Sequence, residues 1–197
     1  MNVYDAITTR RSNRKFKADS VPNELLDKVL AAGRSAPTGS NSQTTHFLVI
    51  RNKQVLDDLA KMVCEAFAAM EITPDMYISL KGAINASKKG TFVFHYHTPV
   101  LVVTANKIGY GNGMADCACS IENMMIMANE LDLATCWINQ LHWLDKNPVI
   151  REYMLKIGLA EDETICASVA LGWPDTADGK PIRDIRRTTG NPVSYID

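Results

Sequence analysis

The segment from residue 114 to residue 132 is the feature that most restricts how this chain can fold. Its apolar residues recur at helical spacing on several neighbouring faces, so the predicted helix is apolar nearly all round. Such a helix lies in the middle of the molecule or in a subunit interface. One face carries Cys117, Ile121, Met124, Ala128 and Leu131, and Met114, Ala118, Met125 and Ile126 widen it. The fold is therefore expected to be built around this helix.

Shorter periodic segments supply the other elements. Two helices are predicted at residues 4–9 and from Val55 to Met70. Another is predicted to follow Pro22, with Ser20 as its N-cap. Short apolar or β-branched runs between turn residues predict strands at 46–50, 99–104, 135–138 and 164–172. Because helices and strands do not alternate strictly, the order favours an α+β fold with a central mixed, largely antiparallel sheet flanked by helices.

The C-terminal part of the chain changes character after Gly172-Trp173-Pro174. It is polar, basic and rich in turn residues, so it has little apolar surface to bury by itself. A length of 197 residues is typical of one domain. We therefore expect a single domain over residues 1–197, in which about 175–197 form an arm that is either frayed or docked on another surface.

Charge and cysteine content exclude several classes of protein. Lys and Arg number 21 against 22 Asp and Glu, and a net charge of −1 provides no overall field for a nucleic acid. The five cysteines form an odd set without a C-x-x-C pair, which is typical of reduced thiols in the cytoplasm. No apolar run approaches the ~20 residues that span a bilayer. A cytoplasmic protein without a membrane or nucleic-acid partner is expected.

Three guanidinium groups and a hydroxyl lie within five residues at the end of the first predicted helix, in Arg10-Arg11-Ser12-Asn13-Arg14. Cations are favoured at helix C-termini, so a purely structural role is one interpretation. In the other, two guanidinium forks and the hydroxyl hold a phosphate, while Arg14 reaches another part of the same ligand. The spacing suits a ligand with a phosphate and a polar ring.

A second polar stretch, Ser35-Ala36-Pro37-Thr38-Gly39-Ser40-Asn41-Ser42-Gln43, joins the second predicted helix to the first strand. An ordinary loop has this composition in many proteins. Its dense hydroxyl and amide groups also suit close approach to a planar ligand rich in heteroatoms. Both interpretations stay open from composition alone.

Other sequence patterns give little support for a dinucleotide site, a metal site or a catalytic nucleophile. The glycines of 109–113 follow a strand, but their spacing departs from the dinucleotide fingerprint. His95 and His97 have no third ligand at metal spacing, so no metal site is expected. No serine, cysteine and histidine arrangement indicates a nucleophile. The acidic residues of the apolar helix are expected to be solvated or capping charges: Asp116, Glu122 and Glu130.

Four motifs follow one another along nearly the whole chain: the arginine and serine cluster at 10–14, Ala-Pro-Thr-Gly-Ser-Asn-Ser-Gln at 36–43, Thr-Cys-Trp-Ile at 135–138, and Leu-Gly-Trp-Pro at 171–174. Together they resemble the nitroreductase family of FMN-dependent oxidoreductases. The resemblance implies an α+β homodimer with two FMN molecules in its interface. It also implies ping-pong electron transfer from NADH or NADPH through FMN to a small acceptor such as a nitroaromatic or a quinone.

The resemblance further implies how this chain would hold FMN. Arg10, Arg11 and Ser12 would hold the ribityl phosphate and ribitol, and Arg14 would reach the pyrimidine edge of the flavin. The other subunit would contribute Pro37, Thr38, Gly39, Asn41 and Gln43. Backbone N–H groups at the end of a strand would meet flavin N5 and O4, from Ile138, Asn139 and Gln140. Arg186 or Arg187 would complete the phosphate site.

No catalytic side chain is expected, because the hydride is transferred to flavin N5 and the protein supplies position and electrostatics.

Two departures from the family pattern affect the acceptor pocket. Gln43 is followed by Thr44-Thr45-His46-Phe47 instead of proline and a large aromatic, and Asn139 or Gln140 stands where many relatives have glycine. The segment 71–96 aligns least well with the family, in which such a region covers the substrate. Two alternatives follow: a member acting on a halogenated or unsaturated compound or on flavin itself, and a flavin-binding protein without turnover.

Overall fold

The computed structural model describes residues 1–185 and 190–196 of the chain. The described helices, in chain order, are α1 (Val3–Thr9), α2 (Asn23–Arg34), α3 (Lys53–Ala68), α4 (Ile78–Lys88), α5 (Gly113–Glu130), α6 (Gln140–Trp143) and α7 (Pro148–Lys156). The strands are β1 (His46–Ile50), β2 (Val100–Lys107), β3 (Ala134–Ile138) and β4 (Glu163–Gly172), and a 3₁₀ turn covers Gly39–Asn41. Of these described helices, none is long and apolar enough to cross a membrane.

The four strands form one sheet in the order β1-β2-β4-β3, and neighbouring strands are antiparallel. This arrangement confirms the predicted α+β fold. A parallel pairing joins Ser12 to Thr135 as an isolated bridge at the β3 edge. The two inner strands, β2 and β4, are buried along nearly their whole length. Sheets buried to this extent carry helices on both faces.

Alternate residues of β2 belong to two different hydrophobic clusters, one on each face of the sheet. Leu101 and Val103 pack in the cluster that contains Phe67 of α3. Val100 and Val102 pack in the cluster that contains Ile121 of α5. This division follows from the period of two in a strand, which sends successive side chains to opposite faces.

Helix α5 lies in the middle of the molecule, as one of the two predicted alternatives requires. Cys117, Ile121 and Met124 are fully buried, and the helix packs on α2, β2, β3 and β4. The contact with α2 is close: a Cβ at Gly33 would lie 2.8 Å from Met124 Cγ. Because its apolar faces find partners within the chain, α5 by itself does not require a second subunit.

Several element boundaries differ from the predictions. Strand β2 continues to Lys107, because its last residues pair through their backbones with β4. Pro22, and not Ser20, is the N-cap of α2. The carbonyl of Ser20 instead accepts a hydrogen bond from Trp173 Nε1 at 3.2 Å.

The first part of the C-terminal arm packs back on the chain, whereas residues 190–196 are exposed. Lys17 N–H donates to the Trp173 carbonyl at 2.9 Å, and an antiparallel bridge joins Phe16 to Pro174. Further along, Arg183 Nη2 lies 2.7 Å from Asp132 Oδ1. Up to Arg183, the arm is therefore docked and not frayed.

The Leu-Gly-Trp-Pro motif yields a stability prediction at Gly172. A Cβ there would lie 2.7 Å from Pro99 Cδ and 2.9 Å from Pro99 Cγ, atoms of a ring that cannot rotate away. Gly172→Ala should lower the free energy of unfolding by about 1–3 kcal/mol through overpacking. Urea denaturation measures this change.

Gly82→Ala is the matched control, because nothing lies within 4 Å of a Cβ at that position in α4. It should raise stability by about 0.5–1 kcal/mol. Equal stability of Gly172→Ala and the native chain would contradict the packing argument.

Candidate functional site

The arginine cluster lies where α1 ends beside the sheet. Arg10 leaves the helix with extended backbone angles, φ −55° and ψ 134°. Asn13 N–H then donates to the Thr135 carbonyl at 2.8 Å, which fixes this segment to the edge strand β3. The buried Asn13 side chain donates to the Arg11 carbonyl at 2.9 Å and accepts from Ile182 N–H at 2.8 Å. Asn13 therefore joins the arginine cluster to the C-terminal arm, a role that the sequence alone did not reveal.

Two of the arginines contain buried nitrogen atoms without hydrogen-bond partners among the described residues. These atoms are Nε and Nη1 of Arg10 and Nε of Arg11. Arg10 Nε faces Glu122 Oε1 at 3.5 Å, without forming a hydrogen bond. Because a buried unsatisfied donor costs free energy, such atoms in a native fold call for a ligand or another partner.

The same arginines line a cleft of about 650 Å³. Its walls combine guanidinium groups and a hydroxyl with an apolar rim, formed by Tyr4, Ile7, Thr8, Arg10, Arg11, Ser12, Arg14, Ile182 and Ile185. The structure thus brings Arg10, Arg11, Ser12 and Arg14 into one cavity, as the phosphate interpretation requires. Arg186 and Arg187 lie outside the described residues.

Arg14 occupies the part of this cleft next to Tyr96 and Cys136. Its guanidinium carbon lies 6.0 Å from the centre of the Tyr96 ring, which is within the range of a cation–π contact. Burial alone would lower the pKa of Arg14, but the charge of the Cys136 sulfur, present at the alkaline pH where an arginine titrates, and a hydrogen bond with Tyr96 outweigh it and raise the pKa. Burial also raises the pKa of Cys136, which stays a thiol at neutral pH.

The loop at 37–43 forms a separate hollow, lined in part by Thr38, Gln43, Thr45 and Phe47. Among the described residues, the linings of this hollow and of the arginine cleft do not overlap. Pro37, Ser40, Asn41 and Gln43 are exposed, while Thr38 and Gly39 are partly buried. Within one chain, the two predicted halves of the site therefore stand apart.

Asp116 was predicted to be a solvated or capping charge, and that prediction is wrong. The residue is only 4% exposed, and its carboxylate accepts hydrogen bonds from Gly39 N–H and the Tyr110 hydroxyl. The sequence does not distinguish Asp116 from Glu122 and Glu130 of the same helix, because the partners of Asp116, Gly39 and Tyr110, lie outside the helix.

The end of β3 presents the third group of predicted residues. Ile138 is buried, and Asn139 and Gln140 are partly buried where α6 begins. The Asn139 N–H donates to Gln140 Oε1 at 3.1 Å, while Asn139 Oδ1 accepts from Trp137 Nε1 at 2.5 Å. The Asn139 N–H that the resemblance assigns to the flavin is thus held by a neighbouring side chain, which must move aside before that N–H can meet a ligand.

Comparison with known proteins identifies the class. The sequence model of the family described as "Nitroreductase family" matches residues 7–173, so the chain belongs to the nitroreductase family. The fold is that of a solved nitroreductase with bound FMN from Bacteroides fragilis, with a TM-score of 0.86, 30% identity and full coverage of both chains.

Two relatives are similar in sequence over most of their length. A protein of Archaeoglobus fulgidus that carries the name NADH dehydrogenase/NAD(P)H nitroreductase is 27% identical, covering 85% of this chain and 83% of the relative. The nitrobenzene nitroreductase of Ectopseudomonas oleovorans is 25% identical, covering 89% of this chain and 88% of the relative.

The unpaired arginine nitrogens predict that the ligand-free protein binds inorganic phosphate. Binding to the folded state alone should raise the melting temperature, with a gain of about 2.7 kcal/mol at 100 times the dissociation constant. Arg11→Gln should abolish most of this rise, because it removes one guanidinium of the cleft. Differential scanning calorimetry at constant ionic strength measures the effect.

Arg51→Gln is the control, since Arg51 is exposed and its guanidinium bonds Asn23 outside the cleft. The control should keep the rise with phosphate. An equal response from both variants would show that phosphate acts elsewhere.

Proposed function

We propose that this chain is an FMN-dependent oxidoreductase that transfers electrons from NADH or NADPH to a small acceptor, such as a nitroaromatic or a quinone. The proposal rests on one observation above all: a member of the nitroreductase family carries a cleft in which two partly buried arginines have buried nitrogen atoms without hydrogen-bond partners among the described residues. FMN bears a phosphate and a polar ring, the combination that this cleft suits. The bound FMN of the Bacteroides fragilis structure and the names of the relatives support the same assignment.

The residues of the cleft fit the two polar parts of FMN. Arg10 and Arg11 hold the phosphate through their unpaired guanidinium nitrogens, and the Ser12 hydroxyl binds the ribityl chain. Bound FMN supplies the two-electron chemistry that amino-acid side chains lack. The protein accordingly needs to bind, orient and shield, and no nucleophile is required.

Arg14 places a positive charge at the pyrimidine edge of the flavin. Its position against Tyr96 restricts the guanidinium, and its charge persists at any physiological pH, as that of any arginine does. A fixed positive charge at this edge stabilises negative charge that develops there during reduction. The thiol form of Cys136 adds no competing negative charge.

The Gln140 side chain affects the third group of predicted FMN contacts, at the end of β3. Its side chain accepts the Asn139 N–H, so flavin binding replaces one hydrogen bond with another and leaves no N–H unsatisfied. The backbone N–H groups of Asn139 and Gln140, beside Ile138, would then bind flavin N5 and O4.

The functional unit that we propose is a homodimer. The chain exposes 11222 Å², whereas a compact monomer of 21.8 kDa is expected to expose roughly 9,300 Å². Apolar side chains are exposed at the rim of the arginine cleft and on the arm, among them Tyr4, Ile7, Ile182, Ile185 and Tyr195. Exposed apolar groups of this kind are typical of surfaces that associate with another chain.

In this dimer, each flavin is held by two subunits. The arginine cleft of one protomer meets the loop of its partner, which contributes Pro37, Thr38, Gly39, Asn41 and Gln43. The separation of the two hollows within one chain supports this arrangement. One of Arg186 and Arg187 completes the phosphate site, and the cytoplasm is the compartment in which we expect the enzyme to act.

The acceptor is covered by the segment 71–96. Tyr77 and Ile78 are largely exposed, and the Tyr77 ring packs edge-on against Trp143 at 6.4 Å between ring centres. Exposed aromatic and apolar groups favour flat apolar acceptors, which agrees with the nitrobenzene named for the Ectopseudomonas oleovorans relative.

The proposed activity is tested directly on the purified dimer. FMN should be released on denaturation and identified by mass, and anaerobic NADH or NADPH should bleach its absorbance. Addition of nitrobenzene or a quinone should restore the absorbance. A protein that is yellow but not bleached by either nicotinamide would be a flavin-binding protein without turnover, and one that takes up no FMN would refute the proposal.

Shared sites predict complementation between two defective chains. Arg11→Ala removes a cleft guanidinium, whereas Gly39→Val displaces the loop, because a Cβ at Gly39 would lie 2.1 Å from Asn112 Nδ2. Each homodimer should bind little FMN, since both of its sites are defective. A heterodimer isolated through two different tags should bind one FMN, because one intact cleft meets one intact loop.

The tagged native heterodimer, with two FMN molecules, is the control for the tags. A mixed heterodimer without flavin would mean that each site is built within a single chain.

A further inference from the structure

The loop at 38–43 is attached to the rest of the chain through a small set of hydrogen bonds at the start of α5. Gly39 N–H donates to both carboxylate oxygens of Asp116, at 3.1 and 3.3 Å. The Tyr110 hydroxyl lies 3.1 Å from the Gly39 carbonyl, 3.1 Å from Asp116 Oδ2 and 3.0 Å from Ser42 Oγ. In the part of the chain that the structure describes, the other hydrogen bonds of this loop are internal to residues 38–44.

The loop has little else to define its conformation. None of the residues in its 3₁₀ turn is buried, so apolar packing contributes little. Ser40, Asn41 and Gln43 have φ angles of 51°, 54° and 51°. These angles lie in the left-handed region, which residues other than glycine rarely adopt. Strained residues of this kind persist only where their surroundings enforce them, and they concentrate at ligand-binding sites.

The Asp116 carboxyl is only 4% exposed, and two features of its surroundings favour it there. It lies in the first turn of the 18-residue helix α5, where the helix dipole favours a negative charge. Its oxygens accept hydrogen bonds from an N–H and a hydroxyl, which satisfies the buried charge in part. A carboxylate held in this way forms a fixed anchor for the Gly39 N–H.

We propose that Asp116 and Tyr110 are positioning residues for the cofactor: they hold the loop, before any ligand arrives, in the conformation that meets FMN in the partner's arginine cleft. This inference rests on the proposed function. Neither residue touches the flavin. Their effect is to remove the entropic cost of ordering the loop on binding, which preorganisation converts into affinity.

The test uses Tyr110→Phe and Asp116→Asn, each nearly identical in shape to the native residue. Hydrogen exchange on the flavin-free protein reports the Gly39 amide, whose protection should fall in both variants: Asp116→Asn alters its acceptor, and Tyr110→Phe removes the hydroxyl that bonds the Gly39 carbonyl and Asp116. Titration with FMN should then show binding weaker by roughly tenfold or more, because a hydrogen bond to a charged group is lost. The melting temperature of the flavin-free protein is recorded for each.

Asp145→Asn is the matched control. Asp145 also accepts hydrogen bonds from a backbone N–H and a hydroxyl, those of Ile165 and Thr164, at 3.0 and 2.7 Å. It holds the start of β4 and does not contact the loop. This variant should lower the melting temperature and leave FMN affinity within about twofold of the native value.

The outcomes separate the two proposals. A native protein that takes up no FMN refutes the proposed function itself. A native protein that binds FMN, with both loop variants binding equally well, overturns only the positioning role, even if their melting temperatures fall. If Asp116→Asn does not fold, Tyr110→Phe alone decides between these results.

Discussion

The burial of α5 is the constraint on which the geometry of the candidate site depends. Ile121 anchors the helix in the core, while polar residues along its length contact three other segments. Asp116 binds the loop, Glu122 faces Arg10, and Asn129 donates to the Ala6 carbonyl of α1 at 3.0 Å. Because one rigid helix makes all these contacts, a shift of α5 moves the cleft and the loop together.

The fold could be predicted largely from apolar periodicity. The segment predicted at 114–132 is the helix Gly113–Glu130, and the strand predicted at 46–50 is His46–Ile50. Boundaries were less predictable where backbone hydrogen bonds, and not side chains, extend an element. Asn106 and Lys107 carry no apolar signal, yet both pair with β4. The docking of the arm likewise depends on hydrogen bonds between residues far apart in sequence.

The candidate site could be predicted in its residue types but not in its connections. The cluster at Arg10 and Arg11 was visible as a sequence motif, whereas the lack of partners for its buried nitrogens is a property of the fold. Asp116 was misread because its partner Gly39 is 77 positions away. A resemblance can transfer the identity of a ligand to matching residues, but it does not reveal that Gln140 binds its neighbour's N–H.

The concentration of guanidinium groups in one cleft also affects how quickly a ligand is captured. The chain has a net charge of −1, so its far field neither attracts nor strongly repels a phosphate ester. Attraction begins only within about a Debye length of the cleft, roughly 8 Å at physiological ionic strength. Salt therefore slows the last step of the encounter more than the diffusion that precedes it. Ionic strength therefore changes the rate at which such a cleft binds its ligand more than the rate at which the ligand dissociates.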